Sequence, residues 1–134
     1  MYSIRINNCI EEGIKEKEVI DRIIALHKIH KSLTPKVLIL EKRNECCWEI
    51  GIGDAKENSY IMYDVFSEPE KDILIAFNPC ILVEDITTVV IFESGDRKQN
   101  GWKRNLICFS EVISELEYYI KNGKLSDKLS WHAW

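Results

Sequence analysis

The side chains with the greatest intrinsic reactivity in this sequence are two adjacent cysteines, Cys46 and Cys47. A catalytic cysteine acts as a thiolate and needs a nearby histidine or helix terminus to lower its pKa. The pair falls near the start of a predicted strand, where successive side chains point to opposite faces, so we expect one thiol buried and one exposed. Nothing in the sequence brings a histidine beside them. A cysteine-dependent enzyme and ordinary small core residues therefore remain alternative interpretations.

Two histidines, His27 and His30, are three residues apart in a predicted helix, so one helix face presents two imidazoles. A zinc site needs more ligands than two, and no glutamate lies between them in a zinc-protease pattern. We interpret them as polar residues at a solvated helix end, where the helix dipole favours them. We therefore expect no metal site.

The stretch Gly51-Ile52-Gly53 has a superficial likeness to a nucleotide-binding loop. It lacks the third glycine and following helix of a dinucleotide site, and the Gly-Lys-Ser/Thr of a phosphate loop. Glycines at the end of a hairpin strand, where the backbone bends or another chain approaches closely, explain it better. We expect no cofactor.

Trp102 lies among four basic residues, Arg97, Lys98, Lys103 and Arg104. An aromatic ring in a basic patch is typical of nucleic-acid binding, but one ring and four charges offer little surface on which bases could stack. The same cluster would serve as a hot spot for a protein partner, or the indole would pack under its own loop. A nucleic-acid-binding module is thus a second alternative function.

Charge is distributed unevenly along the chain, whose net charge is −4. Residues 41–96 hold 13 acidic and 4 basic side chains, whereas both flanking regions are net positive. An acidic surface repels nucleic-acid backbones, attracts basic proteins and raises the rate of encounter with them. The solvated turns of an antiparallel sheet would produce the same pattern.

The chain has 134 residues, 46% of them hydrophobic, which suits one domain over residues 1–134 with a single core. Its five cysteines form an odd number without a Cys-x-x-Cys pair, and the N-terminal residues lack the apolar core of a secretion signal. No apolar run approaches the roughly 18 to 20 residues that span a bilayer. We expect a cytoplasmic protein that does not contact a membrane.

Apolar residues at three-and-four spacing predict two helices, at about 16–31 and 110–122. Pro35 prevents the first from continuing, Ser110 is the expected cap of the second, and Gly123 fits the left-handed position that ends it. Short apolar or alternating segments predict a first strand near residues 2–6 and further strands at about 36–42, 46–53, 59–66, 72–77 and 86–93. Residues 94–103 are the one candidate for a long loop.

Most connections between these strands are too short for parallel crossovers. The sequence therefore predicts an α+β fold: a twisted, mainly antiparallel sheet of five to six strands packed by the two helices. Two strands are apolar on both sides, and helices are the expected covers. Trp48 shares a strand face with Ile50 and Ile52 and is expected in the core. Trp131, near the end of the chain, is expected to dock the tail onto the fold.

Several short motifs resemble immunity protein family one of bacterial polymorphic-toxin and contact-dependent inhibition systems. Near the end of this chain, the order of Phe109-Ser110, Ile120, Gly123 and Trp131 is similar to that at the end of the family's sequences. Upstream, residues 48–53 and 60–63 look like that family's glycine-ended strand and hairpin, and residues 89–92 occupy the place of its late apolar strand.

The resemblance implies an immunity protein, not an enzyme, that binds and neutralises the C-terminal domain of a cognate toxin in a one-to-one complex. Many such toxins act on nucleic acid and are basic around their substrate cleft, which a rigid acidic face would block. The immunity protein itself would not bind nucleic acid. As a hypothesis from exposure and charge, the toxin-binding residues are Asp54, Glu57, Glu68, Glu70, Asp72, Asp96 and Trp102.

Overall fold

Nine strands of the computed structural model, which describes all 134 residues, form one large sheet, and two helices pack on it. The fold is α+β in a single domain. The helices are α1 (Glu16–Lys31) and α2 (Phe109–Asn122). The strands are β1 (Tyr2–Ile6), β2 (Cys9–Ile14), β3 (Lys36–Lys42), β4 (Cys46–Ile52), β5 (Asn58–Ser59), β6 (Ile61–Asp64), β7 (Leu74–Phe77), β8 (Thr88–Ser94), β9 (Arg97–Trp102), β10 (Ile107–Cys108) and β11 (Ser130–Ala133).

Seven strands of the sheet follow the order β11-β7-β6-β4-β3-β1-β2 with antiparallel neighbours throughout. The β8–β9 hairpin joins this sheet where β8 runs parallel to β3, through the single pair Lys36 and Glu93. The short strands β5 and β10 form a separate two-residue ladder. The mainly antiparallel prediction is therefore confirmed.

The predicted number of strands, five to six, is too low because three strands at exposed positions were not recognised. Strand β2 has five of its six residues exposed, and β9 is mostly polar. Strand β11 comprises only the four residues Ser130–Ala133. Edge strands with little buried surface lack the alternation that predicts a strand. The prediction of a long loop at residues 94–103 is also wrong, because this range contains the mostly polar strand β9.

Both helices occur where the apolar spacing predicts them. Helix α2 begins one residue early, and Ser110 is not its cap: the Cys108 backbone N–H donates to the Glu111 carboxylate at 3.1 Å instead. Gly123 ends α2 in the left-handed conformation, with φ of 73°, and its N–H donates to the Tyr119 carbonyl. Neither helix is long and apolar enough to cross a membrane.

The main hydrophobic core lies between both helices and one face of the sheet. Alternate residues of β3 and β4 point into it, and Val19 and Ile23 of α1 and Val112 and Leu116 of α2 meet them. Trp48 is 1% exposed, as expected. Its ring contacts Tyr119 edge-on at a centroid distance of 4.8 Å.

The opposite face of the sheet is covered in part by the β8–β9 hairpin, not by a helix as predicted. Phe92 packs there with Val37, Tyr60 and Leu106 in a second, smaller core. A Cβ added at Gly51 would lie 2.7 Å from ring atoms of both Phe92 and Tyr60. The close approach at this glycine is made by two aromatic rings of the same chain, not by another chain, and the missing side chain lets both rings contact the sheet.

The C-terminal tail is docked onto the sheet as strand β11, in which Trp131 pairs with Ala76 of β7. A buried carboxylate fixes the path of the tail between α2 and β11. Glu115 is 2% exposed and accepts hydrogen bonds from the backbone N–H of Ser126 at 2.8 Å and from its hydroxyl at 2.5 Å. A charged acceptor makes both bonds stronger than neutral ones.

We expect Glu115→Ala to lower the free energy of unfolding by about 2 to 4 kcal/mol, because it leaves the buried Ser126 N–H without an acceptor. Urea denaturation measures this, and hydrogen exchange of β11 amides should accelerate with it. Glu117→Ala is the matched control, since Glu117 is exposed on the same helix. Equal effects of the two substitutions would contradict this role for Glu115.

Candidate protein-binding groove

A groove of about 820 Å³ opens between the end of α2 and the segment that joins β6 to β7. Strand β4 contributes Cys46 to it, β6 contributes Tyr63, and α2 contributes Tyr119. These elements come together because Trp48 of β4 packs against both tyrosine rings, at 5.3 Å from Tyr63 and 4.8 Å from Tyr119. The groove is therefore built on the edge of the main core.

Hydrogen-bonded tyrosines form the floor of the groove. The Tyr63 hydroxyl donates to the Tyr119 hydroxyl at 3.1 Å, which leaves the Tyr119 proton free to meet the Cys46 sulfur 3.6 Å away. Burial raises the pKa of Tyr63 to about 12, and burial also raises the pKa of Tyr119. The floor is thus a fixed, uncharged aromatic surface with hydroxyl groups.

Carboxylates dominate the rim of the groove. Glu45, Glu68, Glu70 and Asp72 line it together with two lysines, Lys71 and Lys124. Glu68 pairs with Lys71 at 2.7 Å, and Glu45 pairs with the neighbouring Lys42 at 3.1 Å. Glu70 and Asp72 have no salt-bridge partner. The free negative charge therefore lies on the β6–β7 segment.

An aromatic floor under an acidic rim is suited to a basic side chain from another protein. A lysine or arginine entering the groove would meet the tyrosine rings as cation–π partners and the free carboxylates as counter-ions. Lys42 already shows this preference from within the chain, with its Nζ 6.0 Å from the centre of the Tyr119 ring.

Of the seven residues predicted to bind a toxin, the structure brings Glu68, Glu70 and Asp72 together at this groove. Asp54 and Glu57 lie elsewhere. The Glu57 carbonyl accepts from the Phe109 N–H at the start of α2, whereas the groove lies at the end of that helix. A helix of 14 residues is roughly 21 Å long. The predicted seven residues therefore do not form one continuous face.

Glu57 and Asp54 both have partners within the fold. The Gly53 N–H donates to Nδ1 of His27 at 2.8 Å, so the other ring nitrogen carries the proton and donates to the Glu57 carboxylate, also at 2.8 Å. Lys31 forms an ion pair with the same carboxylate. Asp54 accepts the Asn58 N–H at 3.0 Å. Glu57 therefore holds the β4–β5 turn against α1, whereas the Asp54 contact lies within that turn.

The prediction of a solvated helix end is wrong for His27. His27 is 3% exposed, and its ring stacks on the Phe109 ring of α2 at a centroid distance of 3.6 Å. The ring is buried without loss of hydrogen bonds because both of its nitrogens have partners at the β4–β5 turn, the Gly53 N–H and the Glu57 carboxylate. No group of three or more His, Cys, Asp or Glu side chains is placed to hold a metal ion.

Asp96 and Trp102 lie at opposite ends of β9, on the hairpin that covers the other face of the sheet. Asp96 is exposed in the turn. Trp102 is half-buried, and the Arg104 guanidinium lies 4.8 Å from its ring centre while donating to the Val83 carbonyl at 2.6 Å. The basic cluster around Trp102 is thus partly engaged within the fold, which weighs against an open stacking platform for nucleotides.

The residues of the floor were missed by the sequence analysis. Tyr119 falls within the helix predicted at about 110–122 and Tyr63 within the strand predicted at about 59–66, and neither was singled out. A tyrosine in an apolar stripe carries a hydroxyl that needs a partner, and this was the one available signal. The partner itself lies 56 positions away in the sequence.

The two adjacent cysteines follow the alternation expected of a strand, with Cys46 buried and Cys47 partly exposed. Burial raises the pKa of Cys46, and burial, followed by the charge of Asp64, raises the pKa of Cys47 to about 11. Both thiols are consequently protonated at neutral pH. This weighs against a nucleophilic role for either cysteine.

No protein-family model matches this chain, and no curated protein is significantly similar to it. The resemblance to the immunity family therefore rests on the short motifs alone.

We expect iodoacetamide at neutral pH to modify the exposed Cys9, Cys80 and Cys108 well before Cys46 and Cys47, because the raised pKa of the latter two suppresses the thiolate. Peptide mapping by mass spectrometry over time gives the five rates. A Cys46 or Cys47 that reacted faster than the exposed thiols would favour the cysteine-dependent enzyme instead.

The Glu57 pKa lies below its ordinary value of 4.5, chiefly because Lys31 donates to the carboxylate and secondarily because His27 does. A lowered folded-state pKa contributes stability above the unfolded-state pKa, and this is lost as pH falls through the lowered value. Because the side chain is 45% exposed, screening limits the contribution to less than about 1 kcal/mol.

We therefore expect Glu57→Gln to lose less stability than the wild type between neutral pH and pH values below 4.5. Urea denaturation across this range is the measurement. Glu18→Gln, which removes an exposed carboxylate without an ion pair, should follow the wild type. If the free energy of unfolding of Glu57→Gln fell with pH in parallel with that of the wild type, the ion pair would contribute nothing to stability.

Proposed function

We propose that this chain is an immunity protein that binds the C-terminal domain of a cognate bacterial toxin and neutralises it in a one-to-one complex. The observation that carries the proposal is the groove, in which Glu70 and Asp72 have no salt-bridge partner beside a floor of hydrogen-bonded tyrosines. The motifs shared with immunity protein family one support the same function.

The groove would hold a protruding basic side chain of the toxin. Charged rim residues act over a distance and raise the rate of encounter, while buried aromatic contacts slow dissociation. The tyrosine floor is held by hydrogen bonds and by Trp48, so little conformational freedom would be lost on binding. A rigid site of this kind favours tight binding per unit of buried area.

Neutralisation would follow from occupying the basic residues that the toxin needs for its substrate. A toxin that acts on nucleic acid must present lysines or arginines to phosphates, and the acidic rim would compete for those groups. The immunity protein would act in the cytoplasm, where an imported toxin meets its substrate. It would need neither a cofactor nor direct contact with nucleic acid.

The remaining predicted contacts would be distributed around the groove or beyond it. Glu68 lies on the rim but is paired with Lys71, so it would exchange one partner for another on binding. Asp54 and Glu57 would contact the toxin only if its surface also reached the start of α2. Asp96 and Trp102 would require a partner that extends to the hairpin.

An antidote gene is expected to lie immediately downstream of its toxin gene. The direct test is binding between the purified chain and the C-terminal domain encoded by the upstream gene, by calorimetry and by protection from toxicity. We expect a tight one-to-one complex. Glu70→Lys combined with Asp72→Lys should reduce the association rate at low salt by about tenfold or more, because the unpaired rim charges are reversed.

Asp21→Lys is the matched control for this experiment, since it makes the same change of charge per site on the exposed face of α1. It should leave association nearly unchanged. No binding to the neighbouring toxin domain would refute the immunity function. Tight binding that was indifferent to the rim substitutions would keep the function and move the interface away from the groove.

A further inference from the structure

A small polar cavity lies on the face of the sheet that carries the β8–β9 hairpin. It opens between the turn that joins β1 to β2 and the turn that joins β8 to β9, and its volume is about 220 Å³. We call it the turn cavity, and its polar lining consists of Arg5, Asn7, Asn8, Ser94, Asp96 and Arg97. The protein-binding groove is nearly four times larger, at about 820 Å³. The turn cavity therefore suits a small chemical group.

The register of the strands brings two arginines to opposite walls of the turn cavity. Arg5 of β1 pairs with Ile39 of β3, which packs against the second core, so both side chains project from the face that the hairpin covers. On the hairpin, Ser94 follows Phe92 by two residues and points with it toward the sheet. Arg97 is paired directly with Ser94 and points the same way. One guanidinium thus enters from the sheet and the other from the hairpin.

A hydrogen bond between the two turns fixes the shape of the turn cavity. The Gly95 N–H donates to Oδ1 of Asn7 at 2.8 Å, which ties the β8–β9 turn to the β1–β2 turn. Because this oxygen is already bonded, Asn7 has its amide N–H groups left to offer. The lining is rich in donors, with two guanidinium groups, two side-chain amides and one hydroxyl. A ligand with several acceptor oxygens would match it.

The turn cavity is positively charged, although the chain as a whole is acidic. Neither of its arginines forms a salt bridge within the chain. Asp96 is the single carboxylate in the lining, so two positive charges face one negative charge. Glu93 and Lys98 are paired with each other across the hairpin and project from its other side, where Glu93 also forms a salt bridge with Lys36 at 3.1 Å. They leave the excess positive charge of the cavity unchanged.

We propose that the turn cavity binds a phosphate group, held between the guanidinium groups of Arg5 and Arg97. A guanidinium presents paired N–H donors that match two oxygens of a phosphate, and a phosphate has enough terminal oxygens to serve two arginines. A carboxylate has only two oxygens, and one arginine engages both. The bound anion would also relieve the repulsion between two like charges that share one cavity. Free phosphate and the phosphate of a small ester share this chemistry, and the test distinguishes them.

The test is a titration of the isotope-labelled full chain with inorganic phosphate, followed by two-dimensional NMR at constant ionic strength. We expect saturable binding with a Kd of about 1 mM or lower, and shifts confined to amides around the two turns. Arg5→Gln and Arg97→Gln should each weaken binding by about tenfold or more, because each removes one of the two charge-assisted contacts. Asp96→Asn should strengthen binding severalfold, because it removes the only negative charge from the lining.

Arg43→Gln is the matched control, since Arg43 is an exposed arginine outside the turn cavity, and its affinity for phosphate should equal that of the wild type. Titration with adenosine monophosphate separates the two sources of phosphate. Tighter binding of this ester than of inorganic phosphate would identify an ester as the ligand. Equal or weaker binding of the ester would identify free phosphate, and both results support the site.

Absence of saturable phosphate binding would overturn the proposal. So would equal weakening by Arg43→Gln and the two cavity substitutions, or binding that neither Arg5→Gln nor Arg97→Gln weakens. Acetate that bound as tightly as phosphate would overturn it too, and would assign the cavity to a carboxylate of a protein partner. None of these measurements involves the groove or a toxin, so their failure would leave the proposed function untouched.

Discussion

The burial of Trp48 between the sheet and helix α2 is the contact on which most of this structure depends. Its indole touches Tyr63 on the neighbouring strand and Tyr119 on the helix, so one side chain fixes the position of α2 relative to β4 and β6. Aromatic pairs of this kind contribute about 0.5 to 1.5 kcal/mol each beyond the area they bury. The same contact determines the floor of the groove, since the two tyrosines that pack against Trp48 also line the opening.

Strand β4 is constrained from its second face as well, and this explains its composition. Trp48, Ile50 and Ile52 point toward the helices and are large, whereas Gly51 points the other way and leaves room for Phe92 and Tyr60. The hairpin that carries Phe92 is therefore seated directly on β4, close to where the Gly53 N–H donates to His27 of α1. Helix, sheet and hairpin thus meet at one short stretch of backbone, and neither core is independent of the other.

How much the sequence could predict follows from which interactions are local. The helices were predictable because the spacing of apolar residues, Pro35 and Gly123 all act within a few residues of one another. Strands β2, β9 and β11 were not, because exposed edges carry little of the apolar alternation that identifies a strand. The buried role of His27 depends on Gly53 and Phe109, which only the tertiary structure brings to it.

The candidate site, too, was predictable only in its local features. That Glu70 and Asp72 are exposed carboxylates could be inferred from composition, whereas their position beside Tyr119 could not, because it depends on how β6, β7 and α2 pack. The seven candidate residues were chosen by a local criterion, exposure and charge, and the fold distributes them over separate surfaces. Exposure is a property of one residue, but a binding site is a property of several segments.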